Sequence, residues 1–257
     1  MVSLILLGEK LAMNEKLNRL TLMKQSLDKQ RPISKELTRS LKEDFIIKSA
    51  YHSNAIEGNR LSVYETKAVL EDGIVIAGKS MREHLEAINH KEAILVAEEI
   101  VQLNQPLSEI VIKELHSIVL HSIDRANAGK YREQNVIISG ASHTPPDAVV
   151  VPQLMTDLIE WYNAAAGLHP VERAAILHSK FVNVHPFTDG NGRTARLLLN
   201  LELVRSGYLP VIIETDRRFE YYELLDRATV TGDYKGFVEF VVDYEELELE
   251  RYLGFIG

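Results

Sequence analysis

Apolar residues recur at three- and four-residue spacing along most of the chain, a period that predicts amphipathic helices. Charge alternates with Leu at that spacing over 14–30, and Pro32 ends the run. Ser34 is a cap for a second helix to about Glu57, where Gly58 is a stop. Ser62 with Glu65, and Ser80 with Glu83, form two capping boxes that start helices over 63–72 and 81–103. Further helices fit 108–122, 152–166, 170–183, 191–206, 217–229 and 235–253. The period changes once. NVIISGASH (135–143) reads as a short apolar strand, a Gly-Ala turn and a second strand, with Pro145 and Pro146 preventing a larger sheet. The predicted fold class is mainly α, a helical bundle with one short β-hairpin. With no repeat and no long linker, N-terminal helices (1–75) and the remainder (76–257) are expected to pack as one unit.

Composition changes this picture little. The 257 residues are 46% hydrophobic and 26% charged, enough for a substantial core. A net charge of −8 weighs against a nucleic-acid partner. The absence of cysteine removes disulfides, thiol nucleophiles and thiolate zinc. The apolar start, MVSLILLGEKLAMNEK, is too short to span a bilayer and has no basic residue before it. It reads as the start of the first helix or as a ragged leader before residue 14, and the expectation is a cytoplasmic protein without a membrane partner.

One stretch breaks the apolar periodicity with chemistry: HPFTDGNGRTAR (185–196). Pro186 cannot continue the preceding helix, so His185 falls just past its end. The loop TDGNG then leads into a second helix whose first N–H groups lack intrahelical acceptors and whose dipole favours anions, phosphate above all. Gly190 and Gly192 allow a close backbone approach. Arg193 and Arg196 share a face at a helix end where cations are disfavoured, which makes sense with a polyanion between them. Asp189 beside phosphates suits Mg²⁺, and His185 can accept a hydroxyl proton at neutral pH. Singly, each residue has a plain structural reading. Together, with Phe187 as an apolar anchor, they point to transfer of a phosphorus-containing group to a hydroxyl.

The stretch resembles the signature of the Fic (filamentation induced by cyclic AMP) family, His-x-Phe-x-Asp/Glu-Gly-Asn-Gly-Arg-x-x-Arg. Every fixed position is matched, by His185, Phe187, Asp189, Gly190, Asn191, Gly192, Arg193 and Arg196. GKSMREHLEAINHKEAI, GKYREQNVIISGASHTPP and the 152–240 region look similar too. The resemblance implies a helical core with a hairpin flap and transfer of AMP from ATP to a Ser, Thr or Tyr hydroxyl of a protein. It implies that His185 deprotonates the hydroxyl and Asp189 binds Mg²⁺. Asn191 and the loop amides would hold the α-phosphate region, and Arg193 and Arg196 the outer phosphates. The 135–143 flap would dock the target by strand addition, with Ser139 and Gly140 near the nucleotide. Tyr221 and Tyr222 would pack near the adenine and ribose, a core role being the alternative. Where some relatives have a nucleotide-binding Asn, this chain has Thr229.

YHSNAIEGNR (51–60) resembles the inhibitory motif of self-inhibited relatives, Ser/Thr-x-x-x-Glu-Gly/Asn, through Ser53, Glu57 and Gly58. Ser53 and Glu57 are i and i+4 on one helix face, and a carboxylate at a helix C-terminus calls for a cation elsewhere. The implied partner is Arg196, which would place Glu57 in competition with the γ-phosphate. The leading expectation is thus an adenylyltransferase held off by Glu57, with self-modification and a homodimer as further partners. A hydrolase removing AMP, a transferase of another phosphorylated group, and a non-catalytic regulatory or toxin–antitoxin module are the alternatives. His178, seven residues before His185, lacks a third metal ligand and reads as structural or supporting.

Overall fold

The computed structural model describes residues 2–138 and 140–256. Among the described residues ten α-helices follow one another: α1 (Val2–Lys29), α2 (Lys35–Ile56), α3 (Val63–Asp72), α4 (Met81–Gln102), α5 (Glu109–Val119), α6 (Val151–Ala164), α7 (Pro170–Val184), α8 (Asn191–Arg205), α9 (Arg218–Thr231) and α10 (Lys235–Ile256). Both capping boxes form, with Ser62 and Ser80 each accepting from, and their backbones each donating to, the glutamate three residues on. Ser34 caps α2 through Leu37 N–H, and Gly73 closes α3 in the left-handed region. The first helix begins twelve residues before the predicted start at 14. The Leu–charge alternation marks only its later part, where Leu17, Leu20 and Leu27 enter the core.

α7 and α8 are antiparallel neighbours at the centre, shared by two apolar clusters. On one side Ala174, Ala175, Leu199 and Leu203 join α1, α9 and α10 residues such as Leu20, Leu225, Phe237 and Val241. On the other, Leu177, Phe181, Leu198 and Leu201 meet α4, α5 and α6 through Ile100, Ile112, Leu115 and Met155. α2 crosses the α4 and α8 side. α8 is therefore buried nearly all round, and its first two turns bury Asn191, Arg193, Thr194 and Arg196 along with the leucines. Burying two guanidiniums demands partners for them, which is what places the site.

The predicted hairpin is not confirmed. Among the described residues no β-strand occurs: 135–138 carry no regular structure, Gly140 lies in a turn, and Ser142 and His143 in a bend. Side chains take the place of a ladder. Asn135 donates to Asp147 Oδ1 (2.8 Å) and accepts Ala148 N–H (2.8 Å). On α9, Asp226 accepts the Ser142 N–H (2.9 Å), the Ser142 hydroxyl and His143 Nδ1 (2.9 Å). No helix among the described residues is long and apolar enough to cross a membrane.

Candidate nucleotide site at the α7–α8 turn

Both ends of the turn are left-handed. His185 (φ 48°) is the C-cap of α7, its N–H bonded to Phe181 O at 3.1 Å, and Gly190 (φ 78°) is the N-cap of α8. Phe187, fully buried, lies flat on the His116 ring of α5 with centroids 3.5 Å apart. Gly129 N–H donates to His116 Nδ1 (2.9 Å), so the ring proton is on Nε2, which donates to Asp189 O (2.9 Å). Burial lowers the His116 pKa to about 4, keeping that neutral tautomer at pH 7. A Cβ on Gly190 would lie 3.3 Å from His116 Nε2 and from Val119 Cγ1. Glycine here therefore serves both the positive φ and the close packing.

Arg132 braces the other side. Its guanidinium donates to three carbonyls, His185 O (2.8 Å), Gln134 O (3.0 Å) and Pro146 O (2.5 Å), and its N–H donates to Pro186 O (2.9 Å). The side chain is buried without an acidic ion-pair partner; the carbonyl dipoles and Asp147 nearby compensate its charge. Asn191 was expected to reach a nucleotide. Instead its amide clamps the turn, accepting Phe187 N–H (2.9 Å) and donating to Phe187 O (2.7 Å). With both ends engaged the side chain shapes the loop, because freeing it would orphan buried backbone groups.

His185 is held neutral. Burial, and then the charge of Arg132, lower its pKa to about 4 against the opposing charge of Glu57. Nδ1 is buried without a hydrogen bond, although the Val182 carbonyl favours the protonated ring. Nε2 makes no protein hydrogen bond and is not buried, so it is the nitrogen available to a substrate.

Asp189 is already engaged. Oδ1 accepts Gly190 N–H (2.6 Å) and Arg193 Nη2 (2.9 Å), and Oδ2 pairs with Arg82 Nη2 of α4. Burial raises its pKa, but Arg193, the Gly190 amide and Arg82 outweigh that and hold it below the usual carboxylate range. Arg193 is buried, with Nη1 3.4 Å from Glu86 Oε1 and no hydrogen bond at Nη1 or Nε.

Arg196 turns the other way, towards α2. Nε donates to Ser53 Oγ (2.9 Å), Nη2 to Ser53 O (2.8 Å) and to Glu57 Oε1 (2.7 Å), and Nη1 to the Tyr221 hydroxyl (3.2 Å). Burial works against its charge, but Tyr221 and Glu57 hold its pKa above the ordinary arginine value. Glu57 is the C-cap of α2, where the helix dipole disfavours a carboxylate. Its side chain crosses to the N-terminus of α8, where the dipole favours one. A Cβ on Gly192 would collide with Glu57 Oε1, so the carboxylate lies against the first turn of that helix. No side chain caps α8, and the N–H groups of Asn191, Gly192 and Arg193 have no intrahelical acceptor. Gly58 follows at φ 99°, a turn position open to space.

The aromatic pair divides. Tyr221 was expected beside a nucleotide base, but it is 1% exposed and its hydroxyl joins Arg196 to His178 Nε2 (3.1 Å). It faces the core, where it orients Arg196, and His178 stacks on Phe237 behind it. Tyr222 is exposed and donates to Ile56 O (3.2 Å), beside Glu57. Gly140 lies in an exposed turn with no hydrogen bond to the α7–α8 turn among the described residues. Ser139 lies outside the described residues. Thr229 spends its hydroxyl on Leu225 O within α9. Sequence reasoning passed over His116, Arg132, Arg82 and Glu86. A His in an apolar helix face and an Arg inside the similar-looking stretch GKYREQ were the available signals.

Residues 106–203 match the Fic/DOC family. Over 225 residues the chain is 42% identical to protein adenylyltransferase fic-1 of Caenorhabditis elegans, covering 86% of this chain and 44% of that protein. The chain thus spans less than half of that relative's length. The structure superposes on C. elegans Fic-1 with a TM-score of 0.85 and 37% identity, covering 96% of this chain and 73% of that one. A Fic domain containing signaling protein from Bacteroides thetaiotaomicron aligns with a TM-score of 0.83 and 28% identity, covering 93% and 97%.

Proposed function

Because the chain belongs to the Fic/DOC family, we propose that it is a protein adenylyltransferase restrained by its own Glu57. It would move AMP from ATP to a Ser, Thr or Tyr hydroxyl of a protein. One observation carries this reading: an imidazole with Nε2 open stands beside an uncapped helix N-terminus that a carboxylate of the same chain now covers. Relatives named protein adenylyltransferase support it.

In the proposed reaction His185 Nε2 takes the hydroxyl proton as the oxygen attacks the α-phosphorus. The bond from that phosphorus to the bridging oxygen of the outer phosphates breaks, and pyrophosphate leaves. The free amides of α8 receive phosphate oxygens, and the unpartnered Nε and Nη1 of Arg193 can be met by an anion. Arg196 can serve an outer phosphate only after Glu57 withdraws. The donor set suits Mg²⁺, which takes one or two carboxylates plus phosphate oxygens: Asp189 Oδ2 is reached only by the half-exposed Arg82, whereas Oδ1 is fixed internally. The metal would neutralise phosphate charge. The 135–143 stretch, in which no described residue pairs in a ladder, can receive a target strand.

The reading is tested by incubation with α-labelled ATP. Glu57→Gly should label itself or an added protein far more than the unmodified chain. His185→Ala should abolish labelling in both backgrounds. Equal labelling by Glu57→Gly and the unmodified chain would remove Glu57 from the account. Release of AMP from a pre-labelled target without forward labelling would favour hydrolysis.

A further inference from the structure

The side of the site away from Glu57 carries a closure of its own. Arg82 leaves the first turn of α4 and reaches 107 residues along the chain to Asp189 Oδ2, the oxygen that the internal bonds leave for an incoming cation. Its other end stays on α4, with Nε donating to Glu86 Oε1 at 3.0 Å. Glu86 also accepts Asn59 Nδ2 (2.9 Å) and lies near Arg193, so it is held from two sides. Arg82 is 55% exposed at its side chain, free to swing into solvent without leaving a buried orphan.

Building on the metal role given above to Asp189, we propose that Arg82 is a tethered counter-cation that competes with the divalent metal for that carboxylate. Two cations cannot share Oδ2 at ion-pair distance. When the metal binds, Arg82 Nη2 lets go while Nε keeps Glu86, so the guanidinium swings aside rather than losing every partner. The resting site then has two closures, a carboxylate over the phosphate cradle and a guanidinium on the metal ligand. Arg82 sets how much metal is needed to open the second.

The test measures Mn²⁺ binding by the electron paramagnetic resonance signal of the free ion, in the Glu57→Gly protein with a non-hydrolysable ATP analogue present. Adding Arg82→Ala should tighten Mn²⁺ binding about fivefold, the scale expected from an exposed ion pair. Arg82→Lys, which keeps a cation but loses the two-point hold on Asp189 and Glu86, should fall between. Unchanged or weaker binding in Arg82→Ala overturns the proposal; weaker binding would mean that Arg82 helps to hold the nucleotide. Asp189→Asn separates the premise from the inference. If it removes tight Mn²⁺ binding while Arg82→Ala changes nothing, only the competition is wrong; if it leaves binding intact, the metal role of Asp189 fails first.

Discussion

Arg193 and Arg196 leave neighbouring turns of one helix, both buried, yet each is held by a different part of the molecule. Arg196 is held by α2 and α9 through Ser53, Glu57 and Tyr221, in bonds of 2.7–3.2 Å. Arg193 is held by the turn itself and by α4, with one good hydrogen bond to Asp189 and a loose pair to Glu86. The first arrangement is nearly complete and would have to be dismantled for an anion to enter. The second lacks partners at two nitrogens and meets solvent through Arg82. Closure by a buried, saturated clamp should therefore be strong, and closure by an exposed pair weak. Glu86 joins the two sides, because Asn59, two residues beyond Glu57, donates to the same carboxylate that Arg82 and Arg193 approach.

The largest expected effect breaks the strong side. Glu57→Gly should raise AMP transfer about a hundredfold, equivalent to ~2.7 kcal/mol, measured as initial rates of label incorporation. A rise no larger than that from Arg82→Ala would erase the contrast. Next, His116→Phe keeps the stack on Phe187 but deletes the bonds to Gly129 N–H and Asp189 O. It should destabilise the fold by about 2 kcal/mol in urea unfolding, since both groups lose a buried partner. Ser53→Ala removes one acceptor from the clamp and should raise transfer about fivefold, near 1 kcal/mol. An unaltered rate would assign Ser53 to packing alone.

The smallest effect concerns pH. With a folded pKa of about 4 against 6.5 for a free ring, His185 stays neutral and able to accept a proton well below pH 7. In the Glu57→Gly protein the rate should vary less than about twofold between pH 5.5 and 7.5 and fall towards pH 4. Stability should change sooner. His90 (about 3), His116 (about 4) and His185 (about 4) are all depressed by burial, so the unfolded chain takes up protons first. The thermal unfolding temperature should therefore begin to drop as pH falls below 6.5 and continue down to about 3.

The helices were legible because their signals are local. The Ser62–Glu65 and Ser80–Glu83 boxes satisfy helix ends within three residues, and no distant group is needed to form them. The hairpin, unconfirmed among the described residues, depends on distant groups instead. Its apolar run is local, but Asn135 and Asp226 tie the stretch to Ala148 and to α9 rather than to a partner strand. The sequence leaves Tyr221 open between nucleotide and core, because an aromatic pair has no periodicity that tells core from cleft; in the structure it packs against Phe237 and Phe240.

By itself, the order of residues determined where helices start and stop, and it gathered His185, Asp189, the glycines and two arginines on one turn, because those relations span at most a dozen positions. Only the tertiary structure decided which arginine meets which acid, which amide of Asn191 is already engaged, and that Arg82, Glu86, His116 and Arg132 belong to the same site. Those pairings join residues up to about 140 positions apart, as Arg196 and Glu57 are. They follow from burying α8 on every side, which obliges each charge it carries to find a partner on whichever helix lies opposite.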